Sequence, residues 1–210
     1  MADTRVDAAQ FDTATPSDTA PLDTTVPCGV APSAVVHATL RLTADNERKV
    51  YVNGTLLDGG AYGWGDARSY DVTLFLHPKK VNVIGVEGIN TSSQGGHDRG
   101  ILAVLTSAAD AGTSFTLVSD ASWKISPTLV TEWYAPTTSD AAWVAAFEQA
   151  PNGASPWGTI ADIPGSAMWI WTYDSAKATT KVDDEHVYAR RSFYFAVDGS
   201  LSETPSTCAD

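Results

Sequence analysis

The residues best suited to recognition chemistry lie in GGAYGWGDARS, positions 59–69. A sugar presents an apolar face of C–H groups and a rim of hydroxyls. Its binder therefore needs an aromatic plate beside carboxylate, amide or guanidinium partners. Tyr62, Trp64, Asp66 and Arg68 supply both kinds of group, and the glycines let the backbone approach closely. The same stretch also fits a lid, with Trp64 packed over one end of a β-structure. A second polar loop, NTSSQGGHDR at 90–99, gathers Gln94, His97, Asp98 and Arg99, which together donate to and accept from hydroxyls. A plain Asp–Arg pair with a surface histidine is the alternative there. The expected ligand set is Tyr62, Trp64, Asp66, His97, Asp98 and Arg99. Two loops at one end of the fold would frame one cleft.

Asp45 and Asn46 offer side-chain oxygens to calcium, a hard cation that prefers an all-oxygen shell. The pair suits a turn better than a cation site, because Asp and Asn side chains cap turns simply by bonding their own backbone. Asp183, Asp184, Glu185 and His186 form a further cation-friendly cluster, read as a solvated loop before the last strand. Catalytic signatures are missing: no GxSxG elbow, HExxH, P-loop, CxxC or dinucleotide fingerprint occurs. The carboxylates permit an acid/base pair on paper, but no spacing selects one. The chain is expected not to be an enzyme. With 25 acidic against 13 basic residues, its net charge of -12 disfavours nucleic acid and anionic membranes. No apolar run is long enough for a transmembrane helix.

The elements that must position these residues read as strands. In 36–42, Val36, Ala38, Leu40 and Leu42 share one face, opposite His37, Thr39 and Arg41. Segments 49–53 and 70–76 alternate likewise, while 81–89 is apolar enough for a central strand covered on both faces. Turn signals stand at Asp45-Asn46, Asn53-Gly54 and His77-Pro78. Short strands follow at 100–106 and 114–118. SDAAWVAAFEQ, at 139–149, predicts one short helix, with Ser139 or Asp140 as cap and Trp143/Phe147 one turn apart. MWIW at 168–171 and a closing strand at 186–197 complete the set. Trp123 and Trp143 are expected in the core, with at least one of Trp169 and Trp171. Trp133, Tyr134 and Trp157 are candidate exposed plates.

Residues 1–27 form a low-complexity Asp/Thr/Ala/Pro segment without an apolar signal region, read as a solvated tether ahead of one domain at 28–210. Cys28 and Cys208 sit at the two ends of that domain. Their placement suggests a disulfide, against the alternative of two unpaired thiols. Closing a loop of roughly 180 residues gives about 5 kcal/mol in the chain-entropy model, and a disulfide implies an extracytoplasmic compartment.

ADNERKVYVNGTLL, YDVTLFL…VNVIGVEGIN, SDASWK, W…DAAWVAA and PWG together resemble the galactose-binding-like β-sandwich (jelly-roll) domains of bacterial glycoside hydrolases and myxobacterial-type surface proteins. The likeness covers roughly residues 35–158 and specifies a fold more than an activity. The tail is similar to the spacers of bacterial surface lipoproteins. The resemblance implies an all-β antiparallel sandwich, exported or held at the cell surface, that binds carbohydrate or polysaccharide without catalysis and is open to a structural calcium. The last strand, WIW…VYARRSFYF, resembles one that precedes the hairpin in related enzymes. It is expected to fold back beside the first strand of its own domain. The alternative is a structural or adhesive subunit that self-associates, assembled by strand exchange or through the tail.

Overall fold

A computed structural model describes residues 35–91, 98–109, 114–175, 184–195 and 201–202. The tether, Cys28, Cys208, His97, Asp183 and positions 196–197 of the closing strand lie outside them.

Period-two alternation gives the first half its strands: β1 (Val35–Asp45), β2 (Glu47–Val52), β3 (Thr55–Ala61), β4 (Arg68–Asp71), β5 (Val81–Asn90), β6 (Gly100–Ala109) and β7 (Ser114–Val118). The second half adds β8 (Lys124–Ser126), β9 (Val144–Ala145), β10 (Phe147–Pro151), β11 (Met168–Trp171), β12 (Glu185–Phe195) and β13 (Leu201–Ser202). One sheet runs β10-β11-β6-β1-β4, with β7 also on β6. The other runs β3-β2-β5-β12-β8-β9, with β13 on β12. Every pairing among the described residues is antiparallel. Ala38, Leu40 and Leu42 of β1 meet Val50, Val52, Ile84 and Val86 of the opposite sheet in the central core. The chain is an all-β sandwich, as the strand pattern implied.

The turns work in two different ways. Asn53 (φ 49°) and Gly54 (φ 89°) close the β2–β3 hairpin with the two positive φ values that a tight primed turn requires. The Asp45-Asn46 turn closes no hairpin, because β1 and β2 belong to different sheets. The strand expected at 70–76 is also shorter. It ends at Asp71, and Thr73–Phe75 forms a 3-10 turn that carries the chain across to β5. Asn82 holds that crossover through His77 N–H, His77 O and Lys80 O at 2.7, 2.9 and 3.0 Å.

The helix expected at 139–149 does not form. Asp140 O accepts from Trp143 N–H at 2.9 Å in a single turn, and the chain then enters β9 and β10. Phe147 pairs with Trp171 across β10–β11 instead of stacking over Trp143. The closing strand also departs from expectation. β12 lies inside the second sheet, between β5 and β8, and not beside β1.

The decorated C-terminal half covers both outer faces. Segment 152–167 lays Trp157, Ile160 and Ile163 over Leu102 and Val104 of the first sheet. Segment 127–143 lays Trp133 and Trp143 over Tyr188 of the second. Trp133 and Trp157, expected as candidate plates, are therefore 2% and 4% exposed, and Trp169 and Trp171 are both fully buried.

Candidate functional site

Strand alternation carries β1 to a buried end: Thr43, Ala44 and Asp45 are all covered there. At this end Asn46 acts as a staple. Its N–H donates to Ile89 O at 3.0 Å, and its carbonyl accepts from Gly63 N–H at 3.1 Å. Its Oδ1 accepts from Thr91 N–H at 3.0 Å, and its Nδ2 donates to Asp45 Oδ1 at 2.7 Å. One side chain and its peptide thus join the β1–β2 turn, the 62–67 loop and the start of the 91–99 loop. The 62–67 loop and the described ends of the second loop, Thr91 and Asp98, lie at the same end of the sandwich.

Thr43 Oγ1 donates to Trp64 O at 2.8 Å, and Arg48 Nη2 donates to Asp66 O at 3.1 Å. These bonds fix the loop backbone while leaving Trp64 40% exposed, outside every core cluster. The other six of the seven tryptophans are 8% exposed or less. Beside Trp64, Asp66 pairs with Arg68 at 3.1 Å in an exposed ion pair. The Tyr62 ring is not a free plate. The Arg68 and Arg48 guanidinium carbons lie 4.0 and 4.8 Å from its centroid, and its hydroxyl donates to Asp58 at 3.0 Å. Burial works to raise the Asp58 pKa, but hydrogen bonds from Tyr70, Tyr62 and Gly59 N–H outweigh it and hold the carboxyl below its ordinary range. Tyr70, partly buried and bonded to Asp58, is pushed up to about 12.

The second loop divides. Asp98 is exposed, whereas Arg99 is fully buried. Arg99 Nη1 donates to Glu185 Oε2 at 2.8 Å and to the Tyr173 hydroxyl. Glu185 and His186, expected in a solvated loop, instead begin β12: Glu185 is drawn inward as an ion-pair partner of Arg99, while His186 bonds Glu87 at 2.8 Å.

Asp45 is 5% exposed and accepts from Trp157 Nε1–H at 2.8 Å. Trp157 in turn stacks on Trp169, centroids 4.4 Å apart. Burial raises the Asp45 pKa. The Trp157 bond opposes that rise, and the charge of Asp98 adds to it. Among the described residues no three His, Cys, Asp or Glu side chains converge as a metal cluster, and no helix is long and apolar enough to cross a membrane.

One concavity had no sequence signal. It lies on the outer face of the second sheet, about 480 Å³ in volume, between Lys49, Tyr51, Glu87 and Tyr188 on the strands and the 129–134 segment. Its residues come from positions far apart in the chain, so no local motif marks it.

No family model matches the chain. It is 32% identical over 142 residues to an alpha-L-rhamnosidase of Streptomyces avermitilis, across 65% of this chain and 13% of the enzyme. The crystal structure of a Streptomyces avermitilis alpha-L-rhamnosidase complexed with L-rhamnose matches with a TM-score of 0.55 and 30% identity, over 63% of this chain and 13% of that one. The apo form of a Pleurotus ostreatus lectin matches with a TM-score of 0.51 and 27% identity, over 64% of this chain and 37% of the lectin. The chain spans only 13% of the rhamnosidase's length and 37% of the lectin's. The sandwich is thus similar to part of a glycoside hydrolase and to part of a lectin, in line with the galactose-binding-like resemblance carried by its strand motifs.

Proposed function

We propose that this sandwich is a non-catalytic carbohydrate-binding module of an exported or cell-surface protein, and that it binds saccharide at the end carrying Trp64. The observation that carries the reading is Trp64 itself, the one tryptophan left exposed, held by its backbone next to an exposed Asp66–Arg68 pair. An indole face stacks on sugar C–H groups while the ion pair meets hydroxyls. The likeness to a lectin and to part of a rhamnosidase supports the same class of ligand. Asp98, whose charge acts on Asp45 at this end, extends the polar rim, and His97 belongs to the same proposal. Arg99 and Tyr62 serve as supports: one is buried under Glu185 and the other is held by two guanidiniums. On a glycan array and insoluble-polysaccharide panel, the wild type is expected to be retained specifically. Trp64→Ala is expected to lose up to about tenfold in affinity, the scale of a lost aromatic stack. Unchanged retention of Trp64→Ala would remove this end from the account.

Calcium is part of the proposal, with Asp45 and Asn46 as its oxygen donors. The side-chain oxygens are already engaged: Asp45 accepts from Asn46 Nδ2 and Trp157 Nε1–H, and Asn46 Oδ1 accepts from Thr91 N–H, so calcium would have to share or displace these bonds while relieving the charge that burial and Asp98 oppose. The sign of the pH effect follows from the raised pKa. Without calcium, the native state holds the Asp45 proton to higher pH than the unfolded chain does. Asp45 ionisation therefore lowers stability as pH rises through the window above the ordinary value of 3.8. Calcium is expected to raise the melting temperature of EDTA-stripped protein near neutral pH. The shift should fade on acidification, and Asp45→Asn should abolish it. An equal shift in Asp45→Asn would place the ion elsewhere.

A further inference from the structure

The concavity on the outer face of the second sheet is built as a site in its own right. Glu87, with its side chain 8% exposed, stands at its floor; Oε2 accepts from Lys49 Nζ at 2.9 Å and Oε1 meets His186 Nδ1 at 2.8 Å. Tyr51 stacks on Tyr134, centroids 4.4 Å apart, and meets Trp133 edge-on at 5.4 Å, while Tyr188 lies 5.2 Å from Trp133. The wall is held from beneath. Arg190 Nη1 and Nη2 donate to Thr138 O and Ala135 O at 2.6 and 3.2 Å, fixing the covering segment. Gly85 leaves room for Trp133, because a Cβ there would sit 2.9 Å from the indole Cζ3. Leu129, 64% exposed, and Val130, 37% exposed, stand at the rim.

Aromatic side chains with a few convergent polar groups, half of them on strands and half on the 129–134 segment, have the make-up of a small-ligand site, and the volume falls within the usual range. The charges decide the ligand class. Lys49 and Glu87 offset one another, and Glu132 adds a further carboxylate at the lining. An anion meets two carboxylates against one ammonium. A neutral polyol instead finds Glu87 as acceptor, Lys49 and the tyrosine hydroxyls as donors, and apolar walls for its C–H face.

We propose that this face carries a second saccharide site, sharing no residue with the Trp64 end, that takes a neutral pyranose unit. The proposal does not rest on the loop-end reading.

Saturation-transfer NMR with D-galactose, D-glucose and L-rhamnose, and with D-galacturonate as the charged control, tests it on the whole chain. Trp64→Ala is expected to keep saturation transfer to at least one neutral sugar, and D-galacturonate should receive none. Adding Thr131→Trp, at an exposed position where the indole fills the pocket, should then remove the signal. Tyr134→Ala, which dismantles the stack, should do the same. Complete loss in Trp64→Ala alone would overturn this site and leave the loop end standing. Transfer that persists in the double variants, or that reaches no neutral sugar in the wild type, would also overturn it. Transfer to D-galacturonate matching D-galactose would overturn the ligand class. A signal abolished by Thr131→Trp but untouched by Trp64→Ala would uphold this site and sink the loop-end reading.

Discussion

Trp157→Ala is expected to cost about 4 kcal/mol of stability, the scale of truncating a buried tryptophan to alanine. Trp157 is 4% exposed, stacks on the fully buried Trp169 and packs over Leu102 and Val104. The substitution leaves a void on the outer face of the first sheet. It also strips Asp45 of its indole donor. Trp157→Phe separates the two losses, because it keeps an aromatic stack and removes only the N–H. Leaving a buried acceptor short of a partner costs about 1–3 kcal/mol. The bond favours the ionised form of Asp45, so the deficit of Trp157→Phe should be larger at neutral pH than in acid, where Asp45 is protonated. Urea denaturation at both pH values reads this out. A deficit independent of pH would mean that the bond does not matter to the carboxylate.

The second large effect belongs to Arg190, 1% exposed on β12. It binds two carbonyls of the 127–143 segment, sits 3.6 Å from Asp140 and lies 5.9 Å from the Trp143 ring centroid. Burial lowers its pKa, and Asp140 opposes that shift. Arg190→Met keeps much of the packing volume but orphans both carbonyls and the partly exposed Asp140. A loss of about 2–4 kcal/mol is expected, somewhat below that of breaking a fully buried pair. Arg190→Lys should recover little, since one ammonium cannot reproduce the two-pronged fork. Hydrogen exchange should show Trp133 N–H and Ala135 N–H opening first, because their turn bonds lie in the segment that Arg190 holds. Uniform loss of protection across both sheets, with no local opening, would contradict that role.

The strands were legible because burial on one face leaves a period of two. Ala38, Leu40 and Leu42 show it in β1, and the apolar run of β5 marks a strand covered on both faces. What misled was local propensity. An alanine-rich stretch with Trp143 and Phe147 four apart reads as helix, yet Ala146 N–H donates to Trp123 O and β10 is claimed by β11. Tertiary pairing overrode a weak preference. The turn signal at Asp45-Asn46 held, but alternation reports faces and not which sheet a strand joins, so it gave no sign that β1 and β2 part into different sheets. That Trp64 stands in a polar, glycine-rich loop was legible in the sequence, but whether it lies exposed or packs as a lid was not. Nor was the inward course of Arg99, because its partners Tyr173 and Glu185 lie more than seventy residues away. The outer-face pocket was hidden in the same way, with Tyr51, Tyr134 and Tyr188 contributed by three distant segments.

The central claim is that saccharide meets the end of the sandwich at Trp64. Tryptophan indole N–H signals, observed by ¹⁵N-correlated NMR during titration with L-rhamnose and with the glycans retained on the array, test it most directly. Each of the seven indoles reports on its own surroundings. The account predicts that the Trp64 signal shifts progressively and saturates, while those of Trp123, Trp169 and Trp171 in the core stay fixed. A Trp64 signal that stays still while the protein demonstrably binds the glycan would contradict it.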